Sequence, residues 1–287
     1  MDDIFLRGTM AEQTAEQKQI QTALDAHYLL RAEQIAFYQE FGYIKLRNVL
    51  PANLLEHYRT FISSRVAELS RDALPLEQRT TYGKAFLQVM NLWRHSEAVK
   101  EFVFGRCMAR IAAELIQVSG VRLYHDQALF KEPGGGITPW HADQYYWPLA
   151  SDKTVTAWVP LQHTPMEMGP LEFCEKSQRF QNGRDLEISD DSEMTLKDAL
   201  SSFSVEASPF ELGDVSFHSG WTFHRAGVNR SKQPREVMTV IYMDENMRLA
   251  APKNKNQIAD WETWCPGVQI GEVAASPLNP VIYTSAE

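Results

Sequence analysis

The apolar positions change their period near Gly120. Before it they recur at helical spacing. In 31–41, Ile35, Ala36 and Phe37 fall on the same stretch as Phe41, and Gly42 supplies a stop. The segment 43–47 alternates like a short strand. Pro51 opens a second helix with Leu54, Tyr58, Phe61, Ile62, Val66 and Leu69 along one face. A further helix is predicted over 98–118, closed at Gly120. Beyond that glycine the runs become short and strand-like, at 121–130, 154–161, 169–173, 205–210, 214–218 and 236–243, with turn residues between them. Helices first and strands afterwards predict a mainly β protein, a sandwich or barrel with a helical layer, and not an alternating parallel sheet. The polar stretch 184–198 reads as a solvated excursion between strands, because it lacks the alternating oxygens and the glycine of a calcium loop.

Composition narrows the class. A chain of 287 residues is long enough for one sizeable core. The expected organisation is a loose tail over 1–20 and a single domain over 21–287. A formal net charge of −9, with lysines and arginines scattered, argues against a nucleic-acid partner. Cys107, Cys174 and Cys265 are far apart and form no CxxC pair, so a disulfide framework is not expected and a reducing compartment is. No apolar core flanked by positive charge marks a leader, and no run reaches the length of a membrane span. The expectation is a cytoplasmic protein with no membrane partner. Its oligomeric state stays open, and the segment 254–287, with Trp261 and Trp264, either caps the core or meets a neighbouring subunit.

The chemistry is concentrated in "GGGITPWHADQYYW", residues 134–147. On an extended chain, residues two apart point to one side, so His141 and Asp143 present an imidazole and a carboxylate together. Two histidines and one carboxylate on one face of Fe(II) form the facial triad of non-haem oxygenases. A second histidine must then come from elsewhere. "GDVSFHSGWTFHRAGVNRSKQPRE", residues 213–236, offers His218 and His224. Arg235 follows at the head of an apolar run, where its guanidinium needs an anion: either a nearby acid such as Glu236 or the far carboxylate of a dicarboxylic ligand.

These segments, with "AFYQEFGYIKLRNVL" and "VTAWVPLQHTPMEMGPLEF", occur in the order found in the phytanoyl-CoA dioxygenase-like family of Fe(II)/2-oxoglutarate oxygenases, which the chain resembles over most of 36–243. The resemblance implies a double-stranded β-helix (jelly-roll, cupin-like) core. It implies Fe(II) on His141, Asp143 and His224, with 2-oxoglutarate and O2 as co-substrates. It further implies that Arg235 holds the remote carboxylate of 2-oxoglutarate, with Trp158, Gln127 and Gln88 as additional co-substrate contacts. The implied function is a dioxygenase that hydroxylates, or otherwise oxidises at a C–H bond, a small-molecule metabolite and releases succinate and CO2. Two departures stand out. Ala226 occupies a position where the family often has Ser or Gly, and "CEKSQRF", residues 174–180, replaces the family's "PGSH". Related halogenases have a small residue in place of the aspartate, so Asp143 favours hydroxylation or its variants, namely desaturation, cyclisation and demethylation.

Several readings compete. A cupin-like metal-dependent hydrolase or isomerase would need neither Arg235 nor 2-oxoglutarate. A non-catalytic metal-binding or sensor relative would be expected to lack a ligand or the arginine. Under the triad reading His218 becomes structural or a cavity wall. His125 and His163 pack, hydrogen-bond or line the substrate cavity; His27, His57 and His95 fall in helix-like segments. Tyr145, Tyr146 and Trp147 suit a cavity wall and a core equally. Lys131 is expected to face solvent, and 134–136 is no phosphate cradle, because no Lys-Ser/Thr pair follows.

Overall fold

The computed structural model describes residues 18–285. Of the loose tail expected over 1–20, residues 1–17 lie outside the described residues. Helix α1 is described over 18–24 and buries Ile20 and Leu24. The chain continues through α2 (Ala32–Phe41), β1 (Tyr43–Leu46), α3 (Ala52–Leu69), α4 (Thr81–Ala85), β2 (Leu87–Met90), α5 (Glu97–Val103) and α6 (Arg106–Ile116). Then come β3 (Gly120–Lys131), β4 (Thr138–His141), β5 (Thr154–Pro160), β6 (Leu171–Cys174), α7 (Asp190–Ala199), β7 (Val205–Ala207), β8 (Val215–Ser219), β9 (His224–Ala226), β10 (Arg235–Asp244), α8 (Lys255–Trp264) and β11 (Val281–Thr284).

All strand pairs are antiparallel. One sheet runs β1-β8-β5-β10-β3-β11, with β2 also on β3; the other runs β4-β9-β6-β7. Side-chain alternation explains the layering. Val155, Ala157 and Val159 of β5, Val215 and Phe217 of β8, and Met238, Val240 and Tyr242 of β10 pack with α3, α5 and α6 in one core cluster. The intervening positions turn inward. Trp158 and Val237 of the large sheet pack with Leu171, Phe173 and Ala226 of the small one. The large sheet is therefore covered on both faces, which is why β5 and β10 read as near-continuous apolar runs. The mainly β reading with a helical layer holds.

Strand β3 contains a bulge. Tyr242 pairs with Leu123, but Ile241 pairs with His125, so Tyr124 is an extra residue. Val121 and Leu123 face the helices, and beyond the bulge the helix-facing positions become Ala128 and Phe130. His125, Gln127 and Leu129 accordingly turn to the inside. Asn279 Nδ2 donates to the carbonyls of Leu123 (3.3 Å) and Tyr124 (3.0 Å), satisfying the disturbed ladder.

The structure corrects three expectations. The helix predicted over 98–118 is two, α5 and α6, with Phe104 and Gly105 between them and a left-handed Gln117 ending the second. A Cβ on Gly105 would meet the Leu24 carbonyl at 3.1 Å, so the break lets α1 approach. The supposed solvated stretch 184–198 holds all but the last residue of α7, whose Leu196 is buried in a cluster with Trp140 and Phe223. Lys131 faces inward and is fully buried.

Candidate active site

His141 ends β4 and Asp143 opens a 3-10 turn, so the two do not share one strand as expected. Ala142 between them is extended (φ −123°, ψ 128°), which preserves the two-residue relation. His224 begins β9 and pairs directly with His141. The three side chains offer ligand atoms that all lie within 4.8 Å of one another. Asp143 Oδ1 is 3.6 Å from His141 Nε2 and 3.7 Å from His224 Nε2. Each Nδ1 faces a backbone carbonyl, His141 that of Pro139 at 2.8 Å and His224 that of Thr222 at 3.0 Å. A carbonyl only accepts, so both Nδ1 atoms carry the proton and both Nε2 lone pairs point at the shared space. Two neutral imidazoles and a carboxylate are the donor set of a non-haem ferrous centre, and the arrangement fits one ion.

Burial keeps the ligand set in its binding form. It lowers His141 and His224 to about 4, so both are neutral at pH 7. Burial works against ionised Asp143, but His224, His218 and His141 together outweigh it and hold the carboxyl well below the usual range. His218 is the residue the sequence left in competition. Its Nε2 lies 3.3 Å from Asp143 Oδ2, the oxygen turned away from the other two histidines. Thr156 Oγ1 donates to that same oxygen at 2.9 Å. His218 and Thr156 therefore fix the carboxylate from behind, and His224 completes the cluster. Thr156 escapes a motif search, since a threonine inside a β-branched strand carries no sequence signal.

Arg235 begins β10 and is 1% exposed. Its guanidinium donates to the Gly169 carbonyl and stacks over Trp158 at 5.4 Å, while Nε has no partner. The neighbouring Glu236 points to the opposite face, where it takes Arg59 Nε at 2.7 Å and Ser63 Oγ at 2.8 Å. No ion pair to Arg235 is formed among the described residues, and burial pushes its pKa down to about 9. A buried guanidinium without a carboxylate is costly, so an anion from outside is the natural complement. Lys131 is also buried nearby, donating to the carbonyls of Gly136 (2.6 Å) and Gly227 (2.7 Å); burial lowers it to about 6.

One cavity joins these features, lined by His141, Asp143, His224, Arg235, Trp158, Gln127 and Gln88 among others. The structure thus brings together every residue singled out for the site. Gln88 Nε2 donates to Gln127 Oε1 at 2.6 Å, across the β2–β3 pair. His218, His125, Tyr146 and Trp147 also line the cavity. Tyr145 instead holds α8, accepting at its carbonyl from Gln257 at 2.9 Å. His163 is outside, paired with Glu211 at 3.0 Å. Residues missed in the sequence are Tyr82, Phe86, Ile188 and Asp260, contributed by α4 and its edge, the approach to α7, and α8.

Two antiparallel sheets face each other and enclose a His-Asp-His cluster that could hold a metal ion. The chain belongs to the phytanoyl-CoA dioxygenase (PhyH) family, whose model matches residues 38–237. Among solved structures it is similar to the non-haem α-ketoglutarate-dependent carbocyclase SnoK from nogalamycin biosynthesis, at 23% identity and a TM-score of 0.72, over 88% of this chain and 97% of that one. The epimerase SnoN from the same biosynthesis matches at 21% identity and 0.69, over 88% and 98%. EctD from S. alaskensis, solved with 2-oxoglutarate and 5-hydroxyectoine, matches at 17% and 0.63, over 89% and 90%. At these identities the likeness establishes the fold.

Among the described residues no helix is long and apolar enough to cross a membrane.

Proposed function

We propose that the chain is an Fe(II)/2-oxoglutarate-dependent dioxygenase that oxidises a C–H bond of a small-molecule metabolite, hydroxylation being the default outcome. The observation that carries this reading is the pairing, in one cavity, of a His-Asp-His cluster with a buried arginine that lacks a carboxylate. A hydrolase or isomerase on the same metal cluster has no use for that arginine. His141, Asp143 and His224 would hold Fe(II). Arg235 receives the distal carboxylate of 2-oxoglutarate, with Trp158 and Gln127 along its length and Gln88 holding Gln127 in place. Bound Fe(II), 2-oxoglutarate and O2 together supply the oxidising power that breaks the C–H bond and yield succinate and CO2.

The protein's own contribution is positional. Thr156 and His218 keep one carboxylate oxygen of Asp143 aimed at the metal, and two backbone carbonyls set the histidine tautomers. Asp143 also fills the position that a halide would need, which supports C–H oxidation over halogenation. Trp158 and Leu171 keep the arginine end dry, which strengthens its grip on a carboxylate.

The test is coupled turnover. With Fe(II), a screen of metabolites should find one that triggers succinate release in step with O2 uptake. Metal-dependent product formation with no 2-oxoglutarate consumed would replace this reading with the hydrolase or isomerase one. The Arg235→Ala variant should bind Fe(II) as the wild type does and lose about tenfold or more in 2-oxoglutarate affinity. Unchanged 2-oxoglutarate affinity would remove Arg235 from the site.

A further inference from the structure

The cavity has a second ionisable residue with no counter-charge. Asp260, half-buried on α8, lines it at the wall formed by Tyr146, Trp147 and His125. Its carboxylate accepts hydrogen bonds from the Tyr124 hydroxyl and the Trp264 side chain. No lysine, arginine or histidine pairs with it among the described residues, and burial lifts its pKa to about 7. The bulge in β3 makes this arrangement, because it sends both Tyr124 and His125 to the same side as Asp260. The surroundings are aromatic: the Tyr124 and Trp147 rings lie 5.5 Å apart edge to face, and His125 lies 5.5 Å from Trp264.

Charge sharpens the picture. Arg235 is the one lysine or arginine among the described lining residues, and burial keeps His125 neutral by lowering it to about 3. With Fe(II) on Asp143 and dianionic 2-oxoglutarate on Arg235, the formal charges at that end cancel. Asp260 is then the remaining carboxyl in the cavity. An acidic substrate, a phosphate or a CoA ester would find no cation there.

From the unpaired Asp260 carboxylate and its aromatic walls, we propose that the substrate is an amine on a flat or cyclic apolar body, its ammonium seated on Asp260 and its ring against Trp147, Tyr146 and Tyr82. The proposal rests on the oxygenase reading above, which supplies the neutralised metal end. It follows the same logic as Arg235: an ionisable side chain held only by neutral groups, with no counter-charge among the described residues, is completed by a ligand of opposite sign. Aromatic faces add cation–π attraction for an ammonium.

The experiment titrates the anaerobic protein loaded with Fe(II) and 2-oxoglutarate. The probes are phenethylamine and tryptamine, their alcohols phenethyl alcohol and tryptophol, and the acids hydrocinnamate and indole-3-propionate. Binding is read by isothermal titration calorimetry, and the charge-transfer absorbance of the Fe(II)–2-oxoglutarate complex is recorded separately beforehand. At least one amine should bind about tenfold or more tightly than its matched alcohol and acid. The Asp260→Asn variant should erase that margin while keeping the alcohol affinity and the charge-transfer band, the latter reporting an intact fold. The proposal is overturned if neither amine is preferred, if an acid binds as well, or if Asp260→Asn keeps the preference. A missing charge-transfer band would instead overturn the oxygenase reading on which it rests.

Discussion

Asp143 gives its two oxygens different tasks. Oδ1 faces the two histidine nitrogens, and Oδ2 is held by Thr156 and His218. Replacing Thr156 by Val keeps shape and removes one of the two restraints. Fe(II) affinity should fall about 10- to 100-fold, read by metal titration, with no loss of secondary structure. Unaltered affinity would show that His218 alone suffices. Asp126, one residue past His125, is fully buried and plays no part in the cavity. Its Oδ1 accepts from Leu92 N at 3.0 Å and its Oδ2 has no partner. Burial raises it from 3.8 to about 8, so the folded state binds the proton more tightly than the unfolded one. The stability it confers is complete below the unfolded value and is lost as pH rises through about 8. Asn at this position has no such dependence. The melting temperature of Asp126→Asn should therefore gain on that of the wild type between about pH 4 and pH 8, and a constant difference would refute the assignment.

The elements matter through the points where they bend. Gly169, before β6, has φ +66°, and a Cβ there would meet the Gly227 carbonyl at 2.3 Å. Its own carbonyl takes the Arg235 guanidinium. Gly169→Ala should cost about 1–3 kcal/mol by denaturation. It should also weaken 2-oxoglutarate binding, since the arginine's support shifts. A variant with wild-type values for both would contradict the role given to this turn. Legibility from sequence follows the same distinction. The strands β3, β5, β8 and β10 are visible because their runs are long and flanked by turn residues. The cluster His141, Asp143 and His224 is visible because spacing and motif order are linear properties. Helix α7 is hidden because its acidic face resembles a loop, although Glu193 reaches back to Trp140 N at 2.6 Å. Lys131 is misread because the Gly136 carbonyl and Thr138 hydroxyl close to it in sequence, and the remote Gly227 carbonyl, surround it only once the following loop folds back, which linear spacing does not display. Thr156, the β3 bulge and Asp260 depend on which strands and helices meet, which a single sequence does not display.

At the scale of the molecule, the helical layer on the outer face of the large sheet makes β5, β8 and β10 rigid, while their inward positions carry Thr156, Trp158, His218 and Arg235. The small sheet contributes His141 and His224 from paired strands. Two ligands thus come from the small sheet and their supporting residues from the large one, and the sheets are locked to each other by the Tyr43–Phe173 stack, at 4.6 Å, and by the Trp158–Leu171–Ala226 cluster. A site assembled this way is pre-organised before any metal arrives, so the chain should fold without iron and then bind it. The measurement that bears most directly on the whole account is an anaerobic titration of Fe(II) and 2-oxoglutarate followed by the charge-transfer absorbance of their chelate. The wild type should develop the band at one equivalent of each, and His224→Ala should not develop it. A wild type that never shows the band, or a His224→Ala protein that shows it in full, would contradict the assignment of this cluster as the iron site.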